Sequence, residues 1–230
     1  MWFSGFNSDM SGSKVLSLEA WAAERSIPFL SFDYSGHGLS EGEFAAGTIS
    51  GWRTDCLSVL DQLTGTDEPL IFVGSSMGGW MALLTAIALK QRVAGLVLIA
   101  PAPDFTEKLM WAGFDETIKR EISEEGMWMR PSDYGDPYPI TRDLIEDGRK
   151  WQIMDAPIDL TCPIRILQGV LDDAVPWEHS MKLVELLASE QVVYQLIKDG
   201  DHRLSRDEDI ARLLGVVDEL MSAILPERSR

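Results

Sequence analysis

A short run of residues in the first half of the chain combines a serine with closely spaced glycines. Residues 70–79 read Leu-Ile-Phe-Val-Gly-Ser-Ser-Met-Gly-Gly, so four apolar residues typical of a strand lead into the pattern Gly-x-Ser-x-Gly. A helix-prone run, residues 80–90, follows. This order is typical of a nucleophile elbow, a turn that lifts a serine hydroxyl clear of its own backbone. The pattern predicts Ser76 as a catalytic nucleophile, with Gly74 and Gly78 small because strand and helix nearly touch there.

A serine nucleophile needs a base, and the chain has three histidines, His37, His179 and His202. After an elbow of this kind the acid and then the histidine follow the serine along the chain, which leaves His179 and His202. His202 lies in a loop directly after the strand-like run 192–197, at the predicted carboxyl end of the sheet. His179 falls near the start of a helix after Pro176, where a solvated or capping role is the alternative. We therefore expect His202 to be the base and His37 to belong to a turn that shapes the pocket.

The base in turn needs a carboxylate to orient it, and this acid is expected after the strand-like run 164–168. Asp172 and Asp173 both follow that run. Adjacent loop residues cannot both face one imidazole, so one of them is expected to be solvated or used in a turn. Asp104, which follows the strand-like run ending at Ala100, is a less favoured alternative.

Acyl transfer also needs hydrogen-bond donors for the negative oxygen of its tetrahedral intermediate. The helix predicted to begin at Met77 directs its first N–H groups towards the serine. A second donor is expected from the loop after the first recognisable strand, residues 4–8, which read Ser-Gly-Phe-Asn-Ser. The backbone N–H groups of Phe6 and Met77 are therefore the predicted oxyanion hole.

Strand-like runs alternate with amphipathic helical runs along the chain. The short apolar candidate strands are residues 28–34, 70–74, 96–100, 164–168 and 192–197. The candidate helices are residues 14–25, 49–63, 77–90, 178–187 and 206–224. Ser205, followed three residues later by Glu208, predicts a capping box at the start of the last helix. The alternation predicts an α/β fold with a mostly parallel sheet flanked by helices on both faces, and ligands bind at the carboxyl ends of such strands.

Residues 104–160 interrupt this alternation. They contain no convincing strand, several turn signals and scattered large apolar residues, namely Trp111, Phe114, Met127, Trp128, Met129, Tyr138 and Trp151. An insertion between two core strands explains the stretch, so we expect one domain over residues 1–230 with a helical cap insertion at about 105–160. Two interpretations stay open: the apolar residues pack the insertion onto the core, or they line an acyl pocket. In the second interpretation the substrate-binding residues are Trp111, Met127, Trp128 and Met129.

Composition limits the classes of partner. With 37 acidic and 20 basic side chains among 230 residues, the net charge is −17, which makes nucleic acid a poor partner. No apolar run approaches the length of a membrane span, and the first residues lack the basic and apolar regions of a signal peptide. Two distant cysteines, Cys56 and Cys162, fit free thiols in a reducing compartment, so we expect a cytoplasmic protein. No histidine has metal-ligand spacing to a second ligand, so no metal is predicted.

At these residues the chain resembles the α/β-hydrolase superfamily, and the likeness covers nearly all of it. The matching motifs are the oxyanion loop, the turn Asp-Tyr-Ser-Gly-His-Gly-Leu-Ser, the elbow and the Gly-Asp-His loop, at residues 5–8, 33–40, 74–78 and 200–202. Residues 169–176 match the family's acid pattern Gly-x-x-Asp-x-x-Val-Pro. That pattern implies Asp172, rather than Asp173, as the acid.

A narrower likeness is to the mitochondrial acyl-glucuronide esterase and palmitoyl-protein thioesterase group and its bacterial relatives. The runs that carry it are residues 33–36, 52–55, 73–80, 162–165 and 201–203. The resemblance implies an esterase or thioesterase that needs no cofactor. Related proteins have two further strands and most of a third before the oxyanion loop, whereas Met1-Trp2-Phe3 precede Ser4 here. The resemblance therefore implies either a late start of the sequence or truncated N-terminal strands. A loss of these strands would expose a sheet edge near residues 28–34.

The sequence thus predicts a serine hydrolase that cleaves carboxylic ester or thioester bonds of small or medium apolar acyl substrates. A Ser-His-Asp triad and an acyl-enzyme carry the predicted reaction. Two alternatives stay open, a hydrolase of the same fold acting on a peptide or C–C bond and a non-catalytic binding protein on this scaffold. The sequence has no signal for a particular oligomeric state.

Overall fold

The computed structural model of the protein describes residues 1–132 and 136–224. In these ranges the strands are β1 Trp2–Phe3, β2 Leu70–Ser75, β3 Val93–Ile99, β4 Met127–Arg130, β5 Tyr138–Thr141, β6 Ile164–Gly169 and β7 Val192–Ile197. The α-helices of the same ranges are α1 Ser13–Glu24, α2 Ile49–Leu63, α3 Met77–Ala88, α4 Glu116–Glu125, α5 Arg142–Gly148, α6 Trp177–Leu186 and α7 Asp207–Ile224. Single 3-10 turns lie at Phe44–Ala46 and Arg149–Trp151, and a π-helical segment lies at Thr106–Trp111.

The central sheet of the described residues is parallel and has the strand order β1-β2-β3-β6-β7. At least one helix lies in each connection between neighbouring strands, as parallel pairing requires. The predicted helices begin and end within two residues of the observed ones. The prediction of a mostly parallel sheet flanked by helices is therefore confirmed.

Alternate side chains of the central strands point to opposite faces of the sheet and build two hydrophobic cores. On one face Phe72 and Leu98 pack with apolar side chains of α2, α3 and α6. On the other face Val73 and Val97 pack with those of α1 and α7. Burial on both faces explains why these strands read as continuous apolar runs rather than as alternating ones.

Residues 28–34 do not form the predicted strand. They lie beside β1, and in the described part of the chain one backbone hydrogen bond joins the two segments, from the Trp2 N–H to the Leu30 carbonyl at 2.8 Å. Because β1 spans two residues, it supports no longer ladder with this segment. The apolar character of the segment reflects burial instead, since Tyr34 is wholly enclosed.

The start of α7 differs from the predicted capping box by one residue. The Asp209 carboxylate accepts the Arg206 N–H at 3.2 Å, whereas the Ser205 hydroxyl donates to the Arg203 carbonyl. Hydrogen bonds from the Arg206 side chain lower the pKa of Asp209. The capping contact therefore belongs to an Arg-Asp pair, because the helix begins at Asp207 and not at the residue after Ser205.

The segment between β3 and β6, residues 100–163, is called the β3–β6 connection below. Its helix α4 begins where the Asp115 carboxylate accepts the N–H groups of Thr117 and Ile118, both at 2.9 Å. It ends at Gly126, whose φ of 92° is the left-handed conformation that favours glycine at this position. A helix in this connection agrees with the prediction.

The β3–β6 connection also contains a β-hairpin that the sequence analysis did not predict. Strands β4 and β5 pair antiparallel, with Met129 opposite Pro139. A proline tends to exclude a strand assignment because it has no N–H to donate to a neighbouring strand. Both strands of a two-stranded ribbon are edge strands, so the missing N–H of Pro139 can face away from the partner strand. Met127 and Met129 are exposed on this ribbon, whereas Trp128 and Ile140 pack inward against the core.

Gly215→Ala is expected to raise the free energy of unfolding by about 0.5–1 kcal/mol. Gly215 lies inside α7, and an added Cβ would meet no atom within 4 Å, so alanine restricts the unfolded chain without a clash. Gly95→Ala is the control, and it is expected to lower the free energy of unfolding. Its Cβ would lie 2.7 Å from Ile224 Cδ1 and 3.1 Å from Leu220 Cδ2, two side chains of α7. Urea unfolding measures both variants, and a loss of stability in Gly215→Ala would contradict the prediction.

Candidate active site

The turn between β2 and α3 holds Ser76 in a strained conformation at the carboxyl edge of the sheet. Its φ of 57° and ψ of −121° are unfavourable for a residue with a side chain. The Ser76 N–H donates to the Ile99 carbonyl at 2.9 Å, and its carbonyl accepts the Gly79 N–H at 2.9 Å. The preceding Ser75 ends β2 and is buried. The strand, turn and helix are thus arranged as the motif predicts.

Two glycines allow the backbone segments around this turn to approach each other. A Cβ on Gly74 would lie 2.3 Å from the Gly78 carbonyl oxygen, and one on Gly78 would lie 2.0 Å from the Phe3 carbonyl oxygen. Both distances are far below van der Waals contact, and the neighbouring atoms are backbone that cannot move aside. Only glycine fits at either position.

Ser76, His202 and Asp172 form a continuous chain of hydrogen bonds. His202 Nε2 lies 3.1 Å from Ser76 Oγ, and His202 Nδ1 lies 2.8 Å from Asp172 Oδ2. An ionised carboxylate only accepts hydrogen bonds, so the network assigns the ring proton to Nδ1 and leaves Nε2 to accept the Ser76 hydroxyl. The His202 side chain is 28% exposed and that of Asp172 is 0% exposed, so the chain of bonds opens to solvent at the serine end.

Donors surround the buried Asp172 carboxylate. Oδ1 accepts the backbone N–H groups of Ala174 and Val175, at 3.0 and 2.7 Å. Oδ2 accepts His202 Nδ1 and the side-chain amide of Gln168, the latter at 3.0 Å. A buried charge is tolerated when it is hydrogen-bonded in this way, and the same bonds fix the direction in which the carboxylate faces.

The alternative acids lie elsewhere. Asp173 is exposed. Asp104 is buried, which raises the pKa of its carboxyl group, but its oxygens accept the N–H groups of Ile153 and Met154, at 2.8 and 2.9 Å. Asp104 thus organises the β3–β6 connection and does not face His202.

The alternative bases also have other surroundings. His179 Nε2 lies 2.8 Å from the Pro103 carbonyl, which joins α6 to the β3–β6 connection, and burial lowers the pKa of this imidazole. The His37 ring packs against the rings of Phe44 and Trp52, with centroids 5.1 and 5.2 Å away. Burial likewise lowers the pKa of His37.

The loops that carry Asp172 and His202 touch each other through two glycines. A Cβ on Gly169 would lie 2.2 Å from the Gly200 carbonyl oxygen. That carbonyl accepts the Leu171 N–H at 2.9 Å, one residue before Asp172. The ends of β6 and β7 therefore converge closely enough to bring Asp172 and His202 into hydrogen-bond distance.

The loop after β1 lies directly beside Ser76. A Cβ on Gly5 would be 3.6 Å from Ser76 Cβ, and the residue after Phe6, Asn7, has a φ of 53°. Neither the Phe6 N–H nor the Met77 N–H donates to an acceptor within residues 1–132 and 136–224. The loop of Phe6 is thus beside the serine, and both predicted oxyanion donors lack an acceptor in the described part of the chain.

The Phe6 side chain anchors this loop in an aromatic cluster. Its ring lies 5.0 to 5.9 Å, centroid to centroid, from the rings of Phe44, Phe105, Tyr138 and Trp52. Phe105 and Tyr138 belong to the β3–β6 connection, so this connection contributes to the position of the loop. Aromatic pairs at such distances contribute about 0.5–1.5 kcal/mol each beyond their buried area.

The four predicted substrate-binding residues of the β3–β6 connection have different surroundings. Trp111 is flanked by two cations, with the Arg149 guanidinium 5.1 Å and the Lys119 ammonium 5.9 Å from its ring centroid. Trp128 packs edge-on against Phe114 at 5.3 Å. Met127 and Met129 are 44% and 47% exposed.

Sequence reasoning missed two polar side chains that support the site. Gln168 contacts Asp172 and is completely buried, and its signal is an amide within β6, a strand whose residues are all buried. Lys14, on α1, donates to the Arg203 carbonyl and, at 3.0 Å, to the Ser205 hydroxyl, so it holds the loop after His202. Burial lowers the pKa of Lys14 to about 8. No local sequence pattern connects Lys14 with a loop near the other end of the chain.

Other features of the described residues lie away from this site. Two surface clefts are lined by residues of α2 with Leu89 and Arg92, and by residues 90–94 with 159–163. Neither is lined by a member of the hydrogen-bonded chain.

Among the described residues, no helix has the length and apolar character needed to cross a bilayer. The same part of the chain holds no group of three His, Cys, Asp or Glu side chains arranged to bind a metal ion.

The fold, together with the comparison of sequences, defines the class of protein. The family described as serine aminopeptidase, S33, matches residues 3–147, which is more than half of the chain. The chain belongs to this family of α/β-hydrolases, and it is a serine hydrolase. The fold class expected from the sequence is confirmed.

Similar proteins narrow the group. The mitochondrial palmitoyl-protein thioesterase ABHD10 of Mus musculus is 37% identical over 227 residues, which cover 96% of this chain and 75% of that protein. A solved structure of a putative hydrolase from Agrobacterium vitis S4 has a TM-score of 0.91 and 45% identity, covering 95% of this chain and 86% of the other. The structure of the mouse protein has a TM-score of 0.88 and 34% identity, covering 96% and 88%. The expected likeness to this thioesterase group, and with it the esterase or thioesterase type of hydrolase, is confirmed.

The expected cytoplasmic location is wrong. The mouse protein and its human counterpart, which is 36% identical to this chain, are both named as mitochondrial. The expectation rested partly on the two free cysteines, of which Cys56 is buried and Cys162 is partly buried. Free thiols indicate reducing conditions, but they do not distinguish one reducing compartment from another.

Asp172→Asn is expected to lower kcat for a p-nitrophenyl ester by about 10⁴, because an amide at this position favours the wrong tautomer of the histidine. Asp173→Asn and Asp104→Asn are the matched controls, with far smaller losses expected, since neither carboxylate contacts His202. Steady-state kinetics of the three variants provide the measurement. A loss in Asp173→Asn or Asp104→Asn that equals the loss in Asp172→Asn would overturn the assignment of the acid.

Proposed function

We propose that the protein hydrolyses carboxylic esters or thioesters of small or medium apolar acyl groups through a Ser76 acyl-enzyme. The observation that carries this proposal is the unbroken chain of hydrogen bonds from Ser76 through His202 to Asp172, with distances of 3.1 and 2.8 Å. A nucleophile, a base and an orienting carboxylate in this order are the parts that acyl transfer requires.

In the first half of the proposed reaction, Ser76 Oγ attacks the acyl carbon and His202 Nε2 accepts the hydroxyl proton. The Asp172 carboxylate holds the imidazole and stabilises the imidazolium that forms. The carbonyl oxygen becomes an anion and is bound by the N–H groups of Phe6 and Met77, which are already oriented before the reaction. The tetrahedral intermediate then expels the alkoxide or thiolate, which takes the proton from His202.

In the second half, water replaces the leaving group. His202 Nε2 takes one proton from this water as its oxygen attacks the acyl carbon of the ester on Ser76. The same oxyanion donors stabilise the second tetrahedral intermediate. Its collapse releases the carboxylic acid, returns the proton to Ser76 Oγ and restores the starting state. No cofactor enters either half of the proposed reaction.

We propose that residues 1–230 form one domain and that residues 105–160 of the β3–β6 connection cover its acyl pocket. Support comes from Tyr138, whose ring lies 5.8 Å from that of Phe6 on the proposed oxyanion loop. The partner strand β4 carries Met127 and Met129, exposed and flexible apolar side chains that suit an acyl chain. Trp111 and Trp128 have packing partners of their own and are proposed to hold the connection beside the pocket.

The relatives favour an ester or thioester over a peptide. Enzymes named palmitoyl-protein thioesterase match 96% of the chain, whereas the family described as serine aminopeptidase matches residues 3–147. An oxyanion hole and a triad act on esters and thioesters alike, so one panel tests both. A panel of p-nitrophenyl esters, acyl thioesters and aminoacyl anilides separates the three kinds of bond. Turnover of the anilides alone would favour the peptidase alternative.

Ser76→Ala is expected to abolish labelling by a fluorophosphonate probe and to lower kcat by roughly 10⁵–10⁶, as for other triad serines. Ser75→Ala is the matched control, because its hydroxyl belongs to the end of β2 and is not in the chain of hydrogen bonds. The measurements are probe labelling and ester kinetics. Labelling that persists in Ser76→Ala and disappears in Ser75→Ala would refute the assignment of Ser76 as the nucleophile. A wild-type protein that is not labelled would favour a non-catalytic binding protein.

The kcat/KM for p-nitrophenyl esters is expected to rise with acyl length and then fall. Each buried methylene stabilises the complex by about 0.8 kcal/mol, or roughly fourfold in kcat/KM, until the pocket is full. Met129→Ser should weaken the preference for longer chains, while Leu63→Ser, an exposed change at the end of α2, should not. A flat or steadily falling profile from acetyl upward would contradict the apolar pocket without affecting the proposed nucleophile.

A further inference from the structure

We infer that Gln168 is a positioning residue for the reaction, and that its side-chain amide orients the Asp172 carboxylate towards His202. This inference rests on the proposed function, because it concerns the same chain of hydrogen bonds. In the described part of the chain the side-chain hydrogen bonds of Gln168 go to Asp172 and to two backbone carbonyls and not to Ser76, so its role is exerted through Asp172.

Gln168 lies within β6 and is 0% exposed. Its Nε2 atom is 3.0 Å from Asp172 Oδ2, 3.1 Å from the Val175 carbonyl and 3.2 Å from the Gly169 carbonyl. Three acceptor oxygens around one atom fix the orientation of the amide, because an oxygen in that place would face three others. The nitrogen of Gln168 therefore faces the carboxylate.

The other end of this amide supports a role beyond stability. Within residues 1–132 and 136–224, the buried Gln168 Oε1 accepts no hydrogen bond. A buried acceptor without a partner destabilises the fold, and an apolar side chain of similar shape would avoid that cost. The feature that an apolar side chain cannot reproduce is the charge-assisted bond from Nε2 to Asp172.

The two oxygens of Asp172 are held in different ways. Backbone N–H groups of Ala174 and Val175 fix Oδ1. Oδ2 has one donor that takes part in the proposed proton transfer, His202, and one that does not, Gln168. Gln168 is therefore the donor that keeps Oδ2 directed at the imidazole while the ring gains and loses its proton.

Removal of this N–H has two consequences. The carboxylate loses its direction, so formation of the imidazolium in the transition state is less well supported and kcat falls. For the same reason the carboxylate also stabilises the protonated imidazole of the resting enzyme less well. The protonated, inactive form then gives way to the active form at lower pH, and the acid limb of the kcat profile moves downward.

The test compares Gln168→Met with the matched variant Gln195→Met, the same change on the neighbouring strand β7. Groups that orient the ligands of metal sites contribute about 10–100-fold to affinity or activity, and we expect a similar factor for a donor that orients a carboxylate. We expect Gln168→Met to lower kcat by roughly that factor with little change in KM, and to shift the acid limb to lower pH. Gln195→Met should keep the wild-type kcat and profile. A wild-type kcat and an unshifted profile in Gln168→Met would overturn the inference.

A double variant separates positioning from a structural role. If Gln168 acts only through the Asp172 carboxylate, Gln168→Met should cost almost nothing further in an Asp172→Asn background. A structural role would lower kcat by the same factor in both backgrounds and would overturn the inference. The controls also separate this inference from the proposed function. Full activity in Ser76→Ala and Asp172→Asn refutes the proposed function, whereas loss in those two with wild-type behaviour in Gln168→Met refutes the inference alone.

Gln168→Glu keeps the test decisive if the methionine variant does not fold, as judged by thermal unfolding. Glutamate has nearly the same shape, and its protonated carboxyl group can still donate one hydrogen bond to Asp172. We expect partial activity at low pH and a progressive loss of kcat as this carboxyl group ionises beside Asp172. The wild-type profile should not show this loss. A Gln168→Glu enzyme with the wild-type pH profile would overturn the inference.

Discussion

The site depends on the close contact of three backbone segments at the elbow. The turn that carries Ser76 packs against β2 through Gly74 and against the end of β1 through Gly78, where a Cβ would meet carbonyl oxygens at 2.3 and 2.0 Å. This contact forces Ser76 into its positive φ, a strain of about 1–3 kcal/mol that the buried sheet and helix must offset. It also brings the loop after β1 to the serine, so the proposed nucleophile and one proposed oxyanion donor are positioned by the same packing.

A second contact, between Gly169 and Gly200, does the same for the acid and the histidine. It joins the ends of β6 and β7, and Asp172 and His202 follow within three residues of these glycines. The carboxylate is withdrawn from water, and four donors take the place of hydration. Because parallel strands end at one edge of the sheet, two local contacts suffice to assemble side chains that are separated by up to 126 residues along the chain.

The β3–β6 connection adds an outer layer that is attached to the core through side chains, aromatic rings among them. Phe105 and Tyr138 pack on Phe6, so the same rings tie this connection to the proposed oxyanion loop. A connection attached through side chains can vary in sequence while the strands beneath it keep their geometry. This arrangement fits a family in which enzymes of related fold act on different substrates, and it agrees with the proposal that this layer covers the acyl pocket.

The sequence by itself determined the features that depend on local patterns. The Gly-x-Ser-x-Gly turn between a strand and a helix singled out Ser76, the loop after the last strand singled out His202, and helix periodicity located helices such as α2. Tertiary structure decided what depends on contacts between distant residues. It decided that Asp172 is buried against His202 while its neighbour Asp173 is exposed, and that an amide in β6 faces the carboxylate. It also decided that residues 28–34 form no strand and that β4 pairs with β5, because pairing depends on the partner strand and not on the apolar character of the run itself.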